Sequence, residues 1–340
     1  MKILIIGGAG FIGINAALHF LNKGNDVVIF DNFSRKGSRD NISWIKRTAK
    51  KTPEVHKGDI RNFKEVEKVV KDIDVLLHFA GQVAVTSSVE NPRDDFENNA
   101  LGTLNVLEAV RVSGENPIFI YSSTNKVYGS LEHLKIKEDK TRYAFVDRKF
   151  GVSEEENLDF HSPYGCSKGA SDQYVRDYAR IYGLNTVVFR QSCIYGPRQF
   201  GIEDQGWIAW FIIAVMLGKK ISIYGNGKQV RDLLYIDDLM QAYALAIKHI
   251  DKTRGKIYNI GGGSKNTISV WLELQPLLEK YFNKKIIVSF SEIRPGDQPI
   301  FIADIRKAEK EFGWAPKVNV KDGVRLLYEW VEENKELFKS

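Results

Sequence analysis

Four apolar residues, Ile3–Ile6 behind the single charge of Lys2, run directly into Gly7-Gly8-Ala9-Gly10-Phe11-Ile12-Gly13, and helical apolar spacing follows from Phe11 to Leu21. A short strand, a glycine turn and a helix in that order leave few folds open. Glycine is required there because the tight turn needs permissive backbone angles. It is also required because an anion must reach main-chain N–H groups at a helix N-terminus without meeting a Cβ. Asp31 stands eighteen residues past Gly13, at the end of the next apolar run, where a carboxylate accepts hydrogen bonds from ribose hydroxyls. The same negative charge repels a 2′-phosphate, which favours NAD over NADP, although Arg35 close by leaves room for the phosphorylated form. The dinucleotide side is expected to include Gly7, Gly10, Phe11, Ile12, Gly13, Asp31, Asn32 and Arg35.

Strand-like and helical runs keep alternating beyond this unit. Asp26–Phe30, Glu54–Lys57, Val75–Phe79, Ile118–Tyr121 and Asn185–Phe189 read as strands. Helical spacing lies between them at Arg39–Lys50, Phe63–Lys71, Asp94–Ser113 and from Pro163 to Tyr182. Such alternation implies right-handed crossovers and an α/β fold with a Rossmann-type, doubly wound parallel sheet. Strand ends then collect ligand contacts. Asp59 and Ile60, Phe79 and Ala80, and Ser122 fall at three such ends, with Asn99 in a flanking helix.

From about residue 191 the pattern loosens into a helix over Trp207–Leu217, short strands, and helices at Asp237–His249, Val270–Phe282, Asp304–Phe312 and Val320–Phe338. With 340 residues there is more chain than one core usually holds. The expected division is a cofactor domain over 1–190, with part of 230–260 returning to it. A smaller α/β substrate domain, interleaved rather than beaded on, takes most of 191–340. No internal repeat, low-complexity tract or Pro/Gly/Ser linker is visible.

Composition narrows the function classes. An apolar share of 43% and only nine prolines exclude a disordered or collagen-like chain. The net charge of +6 comes from 49 basic and 43 acidic residues in short mixed blocks, so a nucleic-acid partner is not expected and a phosphate-bearing substrate is. Cys166 and Cys193 are too few for a disulfide framework and have no metal-ligand spacing, so no metal is expected and both read as reduced thiols. The longest apolar run has eleven residues, against the roughly 17–25 needed to span a bilayer. With Met1-Lys2-Ile3 leading straight into a strand rather than a signal peptide, the expectation is a cytoplasmic protein with no membrane partner.

Tyr-x-x-x-Lys occurs three times, at Tyr164/Lys168, Tyr224/Lys228 and Tyr281/Lys285. Glycines interrupt the second, and the third runs into a late strand. Tyr164 and Lys168 open a helix and share one of its faces, forty residues after Ser122-Ser123-Thr124. A phenol near pKa 10 is a poor base at neutral pH, and a neighbouring ammonium favours its phenolate. Thr124 can then share a hydrogen bond with the substrate oxygen, so Thr124, Tyr164 and Lys168 form the expected catalytic set.

The ordered set Gly7–Gly13, Asp31, Asp59, Thr124, Tyr164, Lys168, Gly196-Pro197-Arg198 and Arg231-Asp232 resembles the extended short-chain dehydrogenase/reductase family, the nucleotide-sugar epimerases and dehydratases. The resemblance covers nearly the whole chain. Ser123–Gly129, Pro163–Gly169, Arg190–Gly196, Glu203–Trp207 and Lys228–Asp232 are similar to the branch that inverts carbon 2 of CDP-linked hexoses of the paratose and tyvelose type. It implies a tightly held NAD that is regenerated each turnover, a CDP-sugar substrate, and a homodimer or homotetramer built on the helices Asp94–Ser113 and Tyr164–Tyr182. Lys168 would then bond the nicotinamide ribose as well as tune Tyr164.

Family chemistry sorts on the two residues after the threonine. A 4,6-dehydratase carries an Asp-Glu pair there, because expelling water takes an acid and a base. Here they are Asn125 and Lys126, which can orient or polarise a sugar oxygen. A thiol, Cys193, stands where many relatives have Asn. Arg231 and Arg294 are expected at the diphosphate, with Arg198, Gln199 and Trp207 as further substrate contacts. His78 reads as structural. A UDP-sugar 4-epimerase of the same family is the alternative activity, and an NAD-sensing regulatory protein on the same fold is the non-enzymatic one.

Overall fold

The computed structural model describes residues 1–293 and 297–339. Five strands, β1 (Lys2–Ile6), β2 (Asp26–Asp31), β3 (Glu54–Lys57), β4 (Val75–His78) and β5 (Ile118–Thr124), form most of a seven-stranded sheet. Asn185–Gln191 and Lys256–Ile260 complete it, in the spatial order Lys256–Ile260, Asn185–Gln191, β5, β4, β1, β2, β3. Every pairing is parallel. The chain begins at β1 in the middle, winds outward through β2 and β3, then crosses back to β4. The reversal between β1 and β4 opens the crevice where ligands bind in sheets of this kind.

Residues 3–6 of β1 are completely buried, and they divide by parity. Ile3 and Ile5 join the apolar core on one face of the sheet; Leu4 and Ile6 join the core on the other. Alternation of side chains sets this division. Covered on both faces, the strand reads as a continuous apolar run. Helix α1 (Phe11–Asn22) and Ile236–Lys248 cover one face, Gly102–Ser113 and Ser162–Tyr182 the other. Trp207–Met216, apolar all round, is packed into the first core.

The helix expected over Val270–Phe282 begins only at Leu274, and that over Val320–Phe338 ends at Glu333, with a separate 3-10 turn at Lys335–Phe338. Two further expectations change nearer the strand ends. The single helix over Asp94–Ser113 is three pieces: Pro92–Phe96, a π-helical turn Glu97–Leu101, and Gly102–Ser113. Gly102 permits the join, since a Cβ there would meet Ile60 at 2.5 Å. The strand expected over Ile118–Tyr121 extends to Thr124, because Ser122–Thr124 go on pairing with Phe189–Gln191. In the C-terminal half, Val230–Tyr235 runs parallel to Cys193–Tyr195 and Ile300–Phe301 and antiparallel to Thr267–Ser269. These strands stand beyond the carboxyl end of β5 and bring Cys193 and Arg231 towards Thr124.

Candidate active site

Two cavities adjoin at the carboxyl ends of the sheet strands, one of about 240 Å³ and one of about 570 Å³. Val83 and Gln205 line both, so they share a wall.

The smaller cavity runs over the glycine turn. Gly7 adopts φ +80°, and a Cβ on it would stand 2.5 Å from the Ala80 nitrogen. At Gly13 a Cβ would fall 2.2 Å from the Gly7 carbonyl oxygen. These two glycines are demanded by the chain's own packing. Gly10 differs: a Cβ there would meet nothing nearer than 3.4 Å, and Gly10 faces the cavity at the N-cap of α1. No acidic residue stands in that first turn, so its N–H groups offer positive charge undiluted. The cradle fits a dinucleotide pyrophosphate, with Phe11 and Ile12 beside it.

Asp31 is buried, and its carboxylate accepts from Ala9 N (3.0 Å) and Phe33 N (2.8 Å). Burial pushes its pKa up while those two backbone donors pull it down. Asp31 therefore braces the glycine turn as well as facing the cavity. Asn32 donates to Asp59 (3.0 Å), and Asp59 also accepts from Arg61 (2.8 Å), which holds its carboxyl at about 2. The Asp59 carboxylate is thus committed to neighbours, while Ile60, Phe79 and Ala80 line the cavity. Asn99 lies behind Gly81, donating to Asp95 (3.1 Å) and Ser167 (3.0 Å); the cavity wall at that point is Asn98. Arg35 reaches across the opening to Gln205 (2.9 Å) and the Gly81 carbonyl (3.3 Å).

Thr124, Asn125, Lys126 and Tyr164 line the larger cavity with Cys193, Trp207 and Arg231. Tyr164 sits in the first turn of Ser162–Tyr182, which starts on Pro163 and places Lys168 one turn further in. The Lys168 ammonium donates to the Ser122 carbonyl (2.6 Å) and lies 4.2 Å above the Tyr121 ring. Burial pulls its pKa down to about 7, opposed by Asp172 and Asp95. Tyr164 is pushed up to about 12 by burial, opposed by a hydrogen bond with Thr124 and by the charge of Arg35. The cation that bears on the phenol here is Arg35, a pairing that spacing along the chain could not reveal.

At the far end, Lys126 and Arg231 flank one carboxylate, Asp297, at 3.8 and 4.0 Å. Asn125 donates to Gln298 (3.3 Å), which in turn donates to the Gly129 carbonyl. The Cys193 thiol is hydrogen-bonded to Trp207, and burial raises its pKa, so it is neutral. Glu203, Gln229 and Asp297 also line this cavity. The first two fall in the segments Glu203–Trp207 and Lys228–Asp232 that carry the resemblance, but none of the three has a role assigned from sequence. Only the fold brings their separate segments together.

Arg198 and Gln199 stand elsewhere than the sequence reading placed them. Both line the smaller cavity, on the dinucleotide side. Arg294 lies outside the described residues. The other two Tyr/Lys pairs are dispersed: Lys228 binds Glu138 and Lys285 binds Glu279, while Tyr281 donates to the Lys321 carbonyl. His78 is buried against Thr103 (3.1 Å) and held neutral, its pKa lowered to about 3. Among the described residues no His/Cys/Asp/Glu group could hold a metal ion, and no helix is long and apolar enough to cross a membrane.

The family model described as GDP-mannose 4,6 dehydratase matches residues 4–327. The CDP-paratose 2-epimerase of Salmonella typhi is 50% identical over 337 residues, covering 97% of this chain and 99% of that protein. The UDP-glucose 4-epimerase of Erwinia amylovora is 32% identical, covering 98% of each. Among solved structures, the UDP-glucuronic acid 4-epimerase from Bacillus cereus, in complex with UDP-glucuronic acid and NAD, aligns with a TM-score of 0.84 at 29% identity. That alignment covers 98% of this chain and 100% of that one. With its glycine cradle, its Thr124/Tyr164/Lys168 set and relatives alike along their whole lengths, this chain belongs to the extended short-chain dehydrogenase/reductase family of nucleotide-sugar epimerases and dehydratases.

Proposed function

We propose that the protein is an NAD-dependent epimerase acting at carbon 2 of a CDP-linked hexose of the paratose or tyvelose kind. The observation that carries this reading is the larger cavity's floor. Thr124 and Tyr164 face it beside the wall shared with the dinucleotide cleft, and Asn125 and Lys126 stand where elimination chemistry would need two carboxylates. Half-identity to a 2-epimerase over nearly the whole chain supports the same choice.

NAD, when bound, supplies a reversible two-electron acceptor for the sugar carbon. The residues do the rest. Tyr164 takes the proton from the 2-hydroxyl as carbon 2 is oxidised, and returns it when the ketone is reduced on its other face. Thr124 bonds the same oxygen. Lys168, fixed under the site by the Ser122 carbonyl, holds the nicotinamide ribose. Asn125 and Lys126 steady the keto oxygen, and Arg231 meets the diphosphate. A 3-deoxyhexose leaves no shorter route, because a ketone at carbon 4 does not acidify the hydrogen on carbon 2.

Incubation with CDP-paratose, CDP-glucose and UDP-glucose, read by NMR, tests the assignment. Inversion at carbon 2 of the CDP-sugar is expected, with no deuterium gained there in deuterated water. Inversion at carbon 4 of UDP-glucose instead establishes the 4-epimerase reading, which the Erwinia relative favours. Two unpaired thiols, Cys166 and Cys193, suit a reducing, cytoplasmic setting. Exposed apolar side chains on Gly102–Ser113 and Ser162–Tyr182 suit a homodimer.

A further inference from the structure

Arg198 belongs to no ion pair among the described residues, yet it is almost entirely buried. The charge of Asp40 attracts it from beyond ion-pair distance, and a buried guanidinium with no carboxylate in contact needs another reason to be there. It lies over three aromatic rings, Trp44 at 4.9 Å, Phe200 at 5.5 Å and Trp330 at 5.7 Å. Its own backbone is at φ +68°, a conformation that disfavours any side chain with a Cβ. Strain of this kind persists only where the surroundings enforce it.

The guanidinium's polar contact leads to the cofactor turn. Arg198 Nε donates to Asn41 Oδ1 (2.7 Å), and Asn41 Nδ2 donates to the Ala9 carbonyl (2.9 Å). Ala9 N, at the other side of that residue, is the donor held by Asp31. One residue before Arg198, the Pro197 carbonyl accepts from Asn15 of α1 (3.0 Å). The chain running on from Arg198 reaches Gln205, on the wall common to both cavities, and Trp207 in the sugar cavity.

We propose that Arg198 is a positioning residue for the dinucleotide: through Asn41 it fixes the Ala9 peptide of the glycine turn, and so sets cofactor retention rather than sugar binding. The proposal rests on the NAD reading above and reassigns an arginine that the sequence placed with the substrate. Its aromatic seat keeps the guanidinium aimed at Asn41 whether or not a sugar is present. The link also ties the glycine turn to the start of the segment that walls the sugar cavity.

The test uses the full-length holoenzyme and two readouts. The first is the rate at which bound NAD exchanges with labelled NAD; the second is the affinity for CDP. Arg198→Met keeps an apolar stem on the aromatic rings and removes the donor. It is expected to speed NAD exchange at least tenfold and to leave CDP affinity within about twofold. Asn41→Ala breaks the same link from the other side and should do the same. The double variant should exchange no faster than the faster single one, because one link cannot be broken twice.

Unchanged exchange in Arg198→Met with weakened CDP binding overturns the proposal and restores the substrate role. Additive effects of the two variants also overturn it, since that is the mark of two independent packing defects. Should Arg198→Met fail to fold, normal exchange in Asn41→Ala overturns it alone. A parent protein that binds no NAD defeats the cofactor reading itself, a result distinct from normal exchange in the variants.

Discussion

Tyr164 and Lys168 stand one turn apart on Ser162–Tyr182, both buried. Sequence spacing makes the lysine the group that lowers the tyrosine pKa. In the structure burial governs both, raising Tyr164 to about 12 and lowering Lys168 to about 7. Depth below the surface comes from packing of the sheet and helix, and no local spacing encodes it. The sign of the pH effect follows. The Lys168 ammonium that donates to Ser122 is lost as pH rises through about 7, so NAD exchange is expected to quicken between pH 6 and 8. Asp95 and Asp172 both favour the ammonium, and Asp95 is buried against Ser167 and Asn99. Asp95→Asn removes one of these charges and should move the midpoint to lower pH; a midpoint that stays or rises contradicts the assignment. For stability the direction is opposite. The unfolded chain binds this proton up to about 10.5, so between about 7 and 10.5 Lys168 makes the folded state relatively more stable as pH rises. Separately, Tyr164→Phe should lower turnover at least about a hundredfold while NAD stays bound, on the usual size of general acid–base contributions. Near-normal turnover would remove Tyr164 from the proton step.

At the scale of elements, the strand–helix alternation was legible because a buried parallel strand must be apolar on both faces. Breaks inside helices were hidden. Asp94–Ser113 has helical apolar spacing throughout, and the π-helical turn at Glu97–Leu101 holds residues that face two different partners. Asn98 turns to the cofactor cavity and Asn99 to Ser167 on the facing helix. A π turn adds a residue to the helix without changing the residue types, which is why composition is silent about it. The facing helix is itself tied down by an ion pair. Asp172 and Arg190, both buried, make two hydrogen bonds of 2.9 Å between Ser162–Tyr182 and the Asn185–Gln191 strand. Ser123 and Tyr128 complete the network at 2.7 and 3.1 Å. Arg190→Met leaves the buried carboxylate with the Ser123 hydroxyl and Gln173 amide as donors but without its paired cation. Denaturant titration should show a loss of about 3–5 kcal/mol, the usual cost of breaking a buried pair on one side. A loss under about 1 kcal/mol would mean that water or another cation reaches Asp172.

Across the whole molecule, the cofactor half was far more legible than the sugar half. The glycine turn and the Asp31 strand end follow one another along the chain. The larger cavity draws on residues from Val83 to Asp297, and the segment from Arg198 to Gln205 lines the dinucleotide cleft before reaching the wall the two cavities share at Gln205. The outer surface shows the same dependence on distant segments. On Ser162–Tyr182, Tyr174 and Tyr178 and then Tyr182 fall at intervals of four residues and stack edge to face, with ring centroids 6.4 and 4.8 Å apart. Ile181 and Tyr182 are 66% and 51% exposed, and Val112 on the neighbouring helix is 50% exposed. Large apolar side chains gathered on two adjacent helices are costly to leave in water and suit an interface. A self-complementary twofold pairing would set the two helices of one copy against those of another in a four-helix contact. In such a contact Ile181→Glu would set a carboxylate twice, once from each subunit, so the symmetry would double its effect on association. Sedimentation of the parent should give a dimer or tetramer at micromolar concentration. The variant should shift towards monomer with NAD exchange unchanged, because the cofactor cleft opens at the strand ends and not on this face. A parent that sediments as a monomer, or a variant that stays fully associated, would move the subunit contact to another surface.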